Sequence, residues 1–221
     1  MSKTFLVLVP VFIIMLIRLK PFDIILRTLN TFLHELSHAV VALIFREKVQ
    51  QINLNQDFSG SCTTKVHSKF AQTCIALAGY TFTSLIAYIL ICNLNKEISS
   101  LFFWIFVAIC VLAIIMYIRN AFGIIWVLAF TAINFLFIYI PLFKPYYNHI
   151  IYIYACIILI ENLLSTFTLL YITIKSPKQA GDATLLQKAS KVPAIIWSLA
   201  FVIIAILLTI KSINLIPILA K

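Results

Sequence analysis

Two histidines and a glutamate in the segment His34-Glu35-Leu36-Ser37-His38 have the residue types and spacing of a metal site. Residues four apart lie on one face of a helix, so the imidazoles of His34 and His38 can reach the same ion. Neutral imidazoles bind Zn²⁺, which lowers the pKa of a bound water toward about 7. Glu35 is then placed to act as general base, taking a proton from that water and passing it to a leaving amine.

A catalytic zinc needs a third protein ligand, and two carboxylates are candidates. Glu161 lies halfway through an apolar segment, where a carboxylate is a functional candidate by default. Asp182 opens the segment Gly181-Asp182-Ala183-Thr184. Each has another interpretation: Glu161 as a hydrogen-bonding group between helices and Asp182 as a helix N-cap. Taken by themselves, the residues leave this choice open.

The other histidines and acidic residues are expected at the surface or in loops as solvated groups; they include His67, His149, Glu47, Asp57 and Glu97. Arg119 and Asn120 interrupt a long apolar stretch. One interpretation is a turn at the membrane interface. The other places their donors in the site as substrate-binding groups for a peptide backbone or a developing oxyanion.

The composition is that of a membrane protein. Of 221 residues, 63% are hydrophobic and 11% are charged, and the mean hydropathy is +1.07. Apolar segments of about 20 residues cross a bilayer as helices, because only internal hydrogen bonds satisfy the backbone there. The net charge of +10 is dispersed between apolar segments and forms no dense patch, so nucleic-acid binding is not expected.

The apolar segments predict an all-α polytopic membrane protein, with residues 1–221 forming a single integral membrane domain. About seven transmembrane helices are expected, at approximately 4–17, 22–45, 70–94, 99–118, 123–143, 149–174 and 193–210. The motif lies on the second, and His34 is about 18 Å along that helix, near mid-membrane. Polar residues recur along it at spacings of three and four, which predicts a stripe facing the bundle interior or a water-filled cavity.

Two polar segments connect these helices. Residues 46–69 alternate polar and apolar residues on both sides of the turn signal Asp57-Phe58-Ser59-Gly60, which predicts a short β-hairpin directly after the motif helix. Such a hairpin offers an edge to an extended peptide. Residues 175–192 are predicted to form a polar loop before the last span.

Lys and Arg counts predict the orientation of the chain. Ten lie on the side of the N-terminus and of both polar segments, and seven lie on the other side, including Lys96 and Lys221. Because positive charge is retained in the cytoplasm, the N-terminus is expected there. We therefore expect a multi-pass protein of the cell membrane.

The sequence resembles the site-2-protease-like intramembrane zinc metalloproteases, of the small M50B-like branch. The resemblance is carried by the following features in order: His34-Glu35-Leu36-Ser37-His38-Ala39 on an apolar helix, then Lys48-Val49, Ile52-Asn53-Leu54, Gly60, Ala78-Gly79-Tyr80, Arg119-Asn120-Ala121-Phe122-Gly123, Gly181-Asp182-Ala183, Pro193 and Trp197. These matches cover most of the chain, and only the first is specific by itself.

The resemblance implies a zinc endopeptidase that cuts membrane-spanning protein or peptide substrates within the lipid bilayer, in regulated intramembrane proteolysis. His34 and His38 would be zinc ligands and Glu35 the general base. Better-known members take the third ligand from an Asp-Gly pair, which this chain lacks. The terminal pattern favours Asp182, with Glu161 as the alternative. A catalytically inactive, protease-like adaptor that binds membrane proteins is the second expected function.

Overall fold

The computed structural model describes residues 1–94 and 98–219. Its elements in chain order are α1 (Lys3–Leu16), α2 (Phe22–Ile44), β1 (Lys48–Leu54), β2 (Gly60–Lys65), α3 (Lys69–Cys92), α4 (Ser99–Met116), α5 (Ala121–Tyr139), α6 (Tyr147–Lys175), α7 (Gly181–Ser190) and α8 (Ala194–Leu219). The expectations for Lys96, Glu97 and Lys221 fall outside the described residues. The chain is thus mainly helical with one hairpin, as predicted.

Five of these helices are long and apolar enough to cross a membrane, namely α3, α4, α5, α6 and α8. The predicted count of seven is not confirmed. The first predicted span is α1, whose 14 residues extend about 21 Å, short of a hydrocarbon core of about 30 Å. The second is α2, which has 23 residues but carries the polar stripe. The last helix, α8, continues to Leu219, beyond the predicted end of the last span near residue 210.

The helices that surround the motif form the centre of the fold. Helix α2 packs against α3 and α6, and these two pack against each other and against α8. Helices α4 and α5 form a pair that reaches α6 mainly through α4. Their outer faces are apolar and highly exposed, as at Ile115 and Ile125, which suits contact with lipid. The polar residues of α2 are instead buried against its neighbours.

The predicted hairpin is confirmed. Strands β1 and β2 are antiparallel, with Lys48 opposite Lys65 and Leu54 opposite Gly60. The outer edge of β1 is covered by the junction between α4 and α5, where the Ile52 N–H donates to the Tyr117 carbonyl at 2.9 Å. Within the described residues no further strand pairs with β2. One edge of the sheet is therefore anchored, and the other is available.

The predicted polar loop at 175–192 contains the ten-residue helix α7. The Thr184 hydroxyl fixes its start by accepting from the Ala180 N–H and donating to the Pro177 carbonyl. Ala183 and Leu186, one turn apart, are fully buried. Helix α7 docks on α3 and α8 through only two or three apolar side chains. The rest of its sequence is mostly polar, so the segment has the overall polarity of a loop.

Candidate metal centre

His34 and His38 face the interior of the molecule from consecutive turns of α2. Their Nε2 atoms lie 3.1 Å apart, and the two rings meet edge to face. Both therefore direct a nitrogen toward the same point, as the spacing predicts. Tyr80 of α3 packs edge-on against His34, with ring centroids 4.5 Å apart, and limits the movement of that ring.

Asp182 meets both histidines from the first turn of α7. Its Oδ2 atom lies 3.2 Å from His34 Nε2 and 3.4 Å from His38 Nε2. The N-cap position of α7 belongs to Ala180, so Asp182 does not have the capping role considered above. Glu161 does not join this group: its Oε2 atom accepts from Arg27 Nε at 3.0 Å. Of the two candidates, the structure brings Asp182 to the histidines.

The spacing of these atoms suits a tetrahedral ion. Zinc bonds to nitrogen and oxygen of about 2.0–2.2 Å place tetrahedral ligands about 3.3–3.5 Å from one another. The contacts at 3.1, 3.2 and 3.4 Å are close to this range. Two imidazoles and one carboxylate are also a donor set that catalytic zinc sites use, with a fourth position left for water. The residues present therefore fit Zn²⁺.

The hydrogen bond of His38 supports this arrangement. Its Nδ1 atom lies 2.6 Å from the Ile75 carbonyl, which can only accept a proton. The N–H is therefore on Nδ1, and in the neutral ring the Nε2 lone pair faces His34 and Asp182. Metal-binding histidines commonly have such a second partner, which fixes their tautomer and orientation.

Glu35 lies beside the cluster under the hairpin and is 7% exposed. The main-chain N–H of Cys62, in β2, is directed toward its carboxylate. A Cβ atom on Gly60 would come within 2.7 Å of Glu35 Oε1, so only glycine allows the hairpin this approach. Burial raises the pKa of the Cys62 thiol to about 12, and the charges of Glu35 and Asp182 act in the same direction.

A cavity of about 810 Å³ joins these groups. It is lined by α2 and by β2, and also by α3 at Gln72 and Tyr80 and by α7 at Asp182. Because the Ile52 N–H points away from β2, Ile52 and Cys62 form a non-hydrogen-bonded pair. The main-chain groups of Cys62 therefore point to the available edge of the sheet, which borders the cavity.

Arg119 and Asn120 lie outside this cavity lining. The Arg119 guanidinium donates to carbonyls in the last turn of α4, including that of Ile115 at 3.3 Å, and so caps the helix. The Asn120 side chain bonds both main-chain groups of Leu54, accepting from the N–H at 3.1 Å and donating to the carbonyl. Both residues thus hold the junction that anchors β1 and do not contact the cluster.

The remaining polar candidates lie in the hairpin segment and near its base. The His67 ring and main-chain N–H donate to Glu47, which lowers the pKa of that carboxyl. Glu47 is thus a partner of His67 rather than a freely solvated charge. The Ser59 hydroxyl and N–H donate to Asp57, which lowers its pKa and shapes the turn. The cavity positions in β2, such as Cys62, were not predicted, because motif spacing does not reveal which residues of a hairpin face a helix.

The chain was compared with protein families, curated proteins and solved structures. No curated protein and no solved structure shows significant similarity. A family model described as peptidase M50B-like matches residues 6–212, nearly the whole chain. This match and the five apolar helices indicate a multi-pass membrane protein of a protease family. The resemblance predicted from the motifs is confirmed, and the chain belongs to the peptidase M50B-like family.

Proposed function

We propose that this protein is an intramembrane zinc metalloendopeptidase that hydrolyses peptide bonds of membrane-spanning substrates in regulated intramembrane proteolysis. One observation carries the proposal. His34, His38 and Asp182, from segments distant in the sequence, place three ligand atoms within 4.8 Å of one another beside a buried glutamate. The family and the five apolar helices support a protease that acts on membrane proteins.

The proposed mechanism assigns a separate task to each group. His34, His38 and Asp182 would hold a zinc ion, which would supply Lewis acidity toward a water molecule and the scissile carbonyl. The Glu35 carboxylate accepts the proton of the attacking water and delivers it to the leaving nitrogen. Burial of Glu35 beneath the hairpin keeps bulk water away from this proton.

The available edge of β2 supports a substrate in extended form. A transmembrane substrate is helical and must unwind before a peptide bond is exposed to attack. The outward carbonyl of Cys62 can pair with such an unwound segment, as in strand addition, while the Cys62 N–H is directed toward Glu35. Since the same edge borders Glu35, pairing would bring the peptide bond to the general base.

We propose that the protein resides in the cell membrane with its N-terminus in the cytoplasm. The excess of Lys and Arg on that side supports this orientation. The hairpin and α7 line one cavity, and four candidate spans separate them, so they lie on the same side of the membrane. Reporter fusions at residue 67 and at residue 178 should both report the cytoplasm.

Glu35→Gln tests the proposed chemistry. The amide keeps the size of the side chain but cannot accept the proton, so cleavage of a membrane-anchored reporter should fall by about 10²–10⁴-fold. Zinc content, measured by elemental analysis of the purified protein, should stay at the wild-type level, because Glu35 is not a ligand.

Normal cleavage by Glu35→Gln would contradict the assigned mechanism. A wild-type protein that binds its reporter but neither retains zinc nor cleaves would favour the inactive adaptor. Lys175→Gln, a change on α6 that lies outside the cavity lining, is the control for expression and membrane insertion.

A further inference from the structure

The hairpin turn beside the candidate centre has an unusual backbone. Phe58 has a φ of +67°, in the left-handed region that glycine or asparagine usually occupies at this place in a hairpin. The Phe58 N–H donates to the Asn55 carbonyl, and the Asn55 N–H donates to the Ser59 carbonyl. A bulky side chain persists in this conformation only where its surroundings hold it.

Two residues of α2 hold Phe58 from one side. The Thr31 hydroxyl donates to the Phe58 carbonyl at 2.9 Å. The Arg27 guanidinium lies over the Phe58 ring, with its Cζ atom 3.9 Å from the ring centroid, which is the geometry of a cation–π contact. Thr31 and Arg27 are four residues apart on α2. The hairpin turn is therefore fixed directly to the helix that carries His34 and Glu35.

Arg27 is held in turn by α6. Its Nε atom donates to Glu161 Oε2 at 3.0 Å, and the Glu161 side chain is only 3% exposed. A buried carboxylate bonded to a guanidinium restricts the arginine far more than a solvated partner would. Glu161, Arg27 and Phe58 therefore form a continuous connection from α6 across α2 to the hairpin turn, which we call the turn clamp.

We propose that the turn clamp positions the edge of β2 against Glu35, so that Arg27 and Phe58 are positioning residues for substrate binding. Phe58 itself lines the cavity, and Gly60, two residues later, is in close contact with Glu35. A shift of the turn moves Gly60 and Cys62 away from the general base. The part that concerns substrate rests on the proposed protease function, whereas the position of the hairpin can be measured without it.

The first experiment labels Cys62 with a polar maleimide. The other four cysteines, which are Cys74, Cys92, Cys110 and Cys156, are replaced by alanine in the full-length protein. Phe58→Leu removes the aromatic face but keeps an apolar branched side chain, and leucine must adopt the same positive φ. Loss of a contact of the usual cation–π strength should raise the labelling rate about fivefold.

Three further variants show whether the clamp causes the change. Phe58→Trp keeps an aromatic face over Arg27 and should label at the wild-type rate. Glu161→Gln weakens the hold on Arg27 and should raise labelling about twofold. Lys175→Gln removes a comparable contact elsewhere, where Lys175 Nζ lies 4.5 Å from the Tyr171 ring, and should change nothing.

Cleavage kinetics provide the second readout. Phe58→Leu should raise the KM for a transmembrane reporter about fivefold with little change in kcat, and zinc content should be unchanged. Unchanged labelling in both Phe58→Leu and Glu161→Gln would overturn the proposal. Equal increases in Phe58→Leu and Phe58→Trp would also overturn it. If labelling rises as expected while Glu35→Gln cleaves normally, the clamp stands and the proposed chemistry fails.

Discussion

Helix α2 meets two carboxylates from distant parts of the chain, and the two contacts differ in how their charge is balanced. At its N-terminal half, Glu161 of α6 bonds Arg27 at 3.0 Å. Two turns later, Asp182 of α7 lies 3.2 and 3.4 Å from the Nε2 atoms of His34 and His38. The first contact contains a permanent cation, because a guanidinium stays protonated in proteins. The second contains rings that are neutral unless protonated.

This difference indicates which contact requires a ligand. The Arg27–Glu161 pair already contains a cation, so its charge is balanced without a further ligand, although Glu161 Oε1 has no hydrogen-bond partner among the described residues. At the other contact, the Nε2 lone pair of neutral His38 faces a carboxylate oxygen, and two acceptors repel each other unless a proton or a metal ion lies between them. We expect a metal ion to take this position, so that Asp182 depends on it and Glu161 does not. The residue types alone left the choice between these two carboxylates open, and the family resemblance favoured Asp182.

The largest expected effect separates the two carboxylates directly. Asp182→Asn should lower zinc affinity by at least about 100-fold, since loss of even a group that only orients a metal ligand costs about 10–100-fold. Reporter cleavage should be abolished. The matched variant Glu161→Gln should retain zinc at the wild-type level, because its partner is Arg27. Zinc per chain after dialysis against a graded chelator series gives both affinities.

The opposite result would reverse the assignment of the third ligand. If Glu161→Gln loses zinc and Asp182→Asn retains it, the contact between Asp182 and the histidines does not represent the metal-bound state. His34→Ala removes a histidine of the motif. Its loss of zinc affinity gives the reference value for removal of a ligand.

An intermediate effect is expected at the two glycines that border the site. A Cβ on Gly79 would lie 2.7 Å from the Nε2 atoms of both His34 and His38, so Gly79→Ala should displace both rings and lower zinc affinity at least about 10-fold. A Cβ on Gly60 would instead meet Glu35 and Thr31. Gly60→Ala should therefore keep zinc and lower cleavage by about 10–100-fold through the general base.

Titration with zinc and cleavage of the reporter, measured on both variants, check this separation. Loss of zinc in Gly60→Ala would show that the hairpin supports the metal ligands and not only Glu35. Gly123→Ala is a control for zinc binding only: its Cβ would meet Asn120 and Ile118, away from the cluster, but Asn120 anchors β1.

Much of the fold could be predicted because the length of an apolar segment and the spacing of its apolar residues can be read from the local sequence. The long apolar helices and the hairpin after α2 followed from such patterns. The count of seven spans is not confirmed, because α1 is apolar but has only 14 residues, fewer than the five helices that are long enough to cross. Helix α7 was missed because its docking depends on Ala183 and Leu186 meeting grooves on other helices, and such grooves are not visible in a local pattern.

The site, like the fold, was predictable where it depends on local spacing and not where it depends on packing between distant segments. The spacing of His34 and His38 fixes their common face within one helix, so the structure brings them together as expected. The third member depends on which distant segment packs on that face, and residues alone could not decide this. Arg119 and Asn120 showed the same limit: their donors were recognised, but their main-chain partners are determined by tertiary packing.

The smallest expected effect lies at the base of the hairpin, where the buried Glu47 side chain pairs with the exposed ring of His67. Hydrogen bonds from His67 lower the pKa of Glu47 in the folded state. Its stabilisation is therefore present above the ordinary glutamate pKa of about 4.3 and is lost as pH falls through the lower folded value. At pH 6, Glu47→Gln should lower Tm by at most about 2 °C, because His67 is 86% exposed and pairs with a solvated partner contribute little. The difference from wild type should narrow steadily as the pH is lowered below about 4, in thermal unfolding followed by circular dichroism. A difference that did not change with pH would mean that Glu47 stabilises the hairpin by packing and not by its charge.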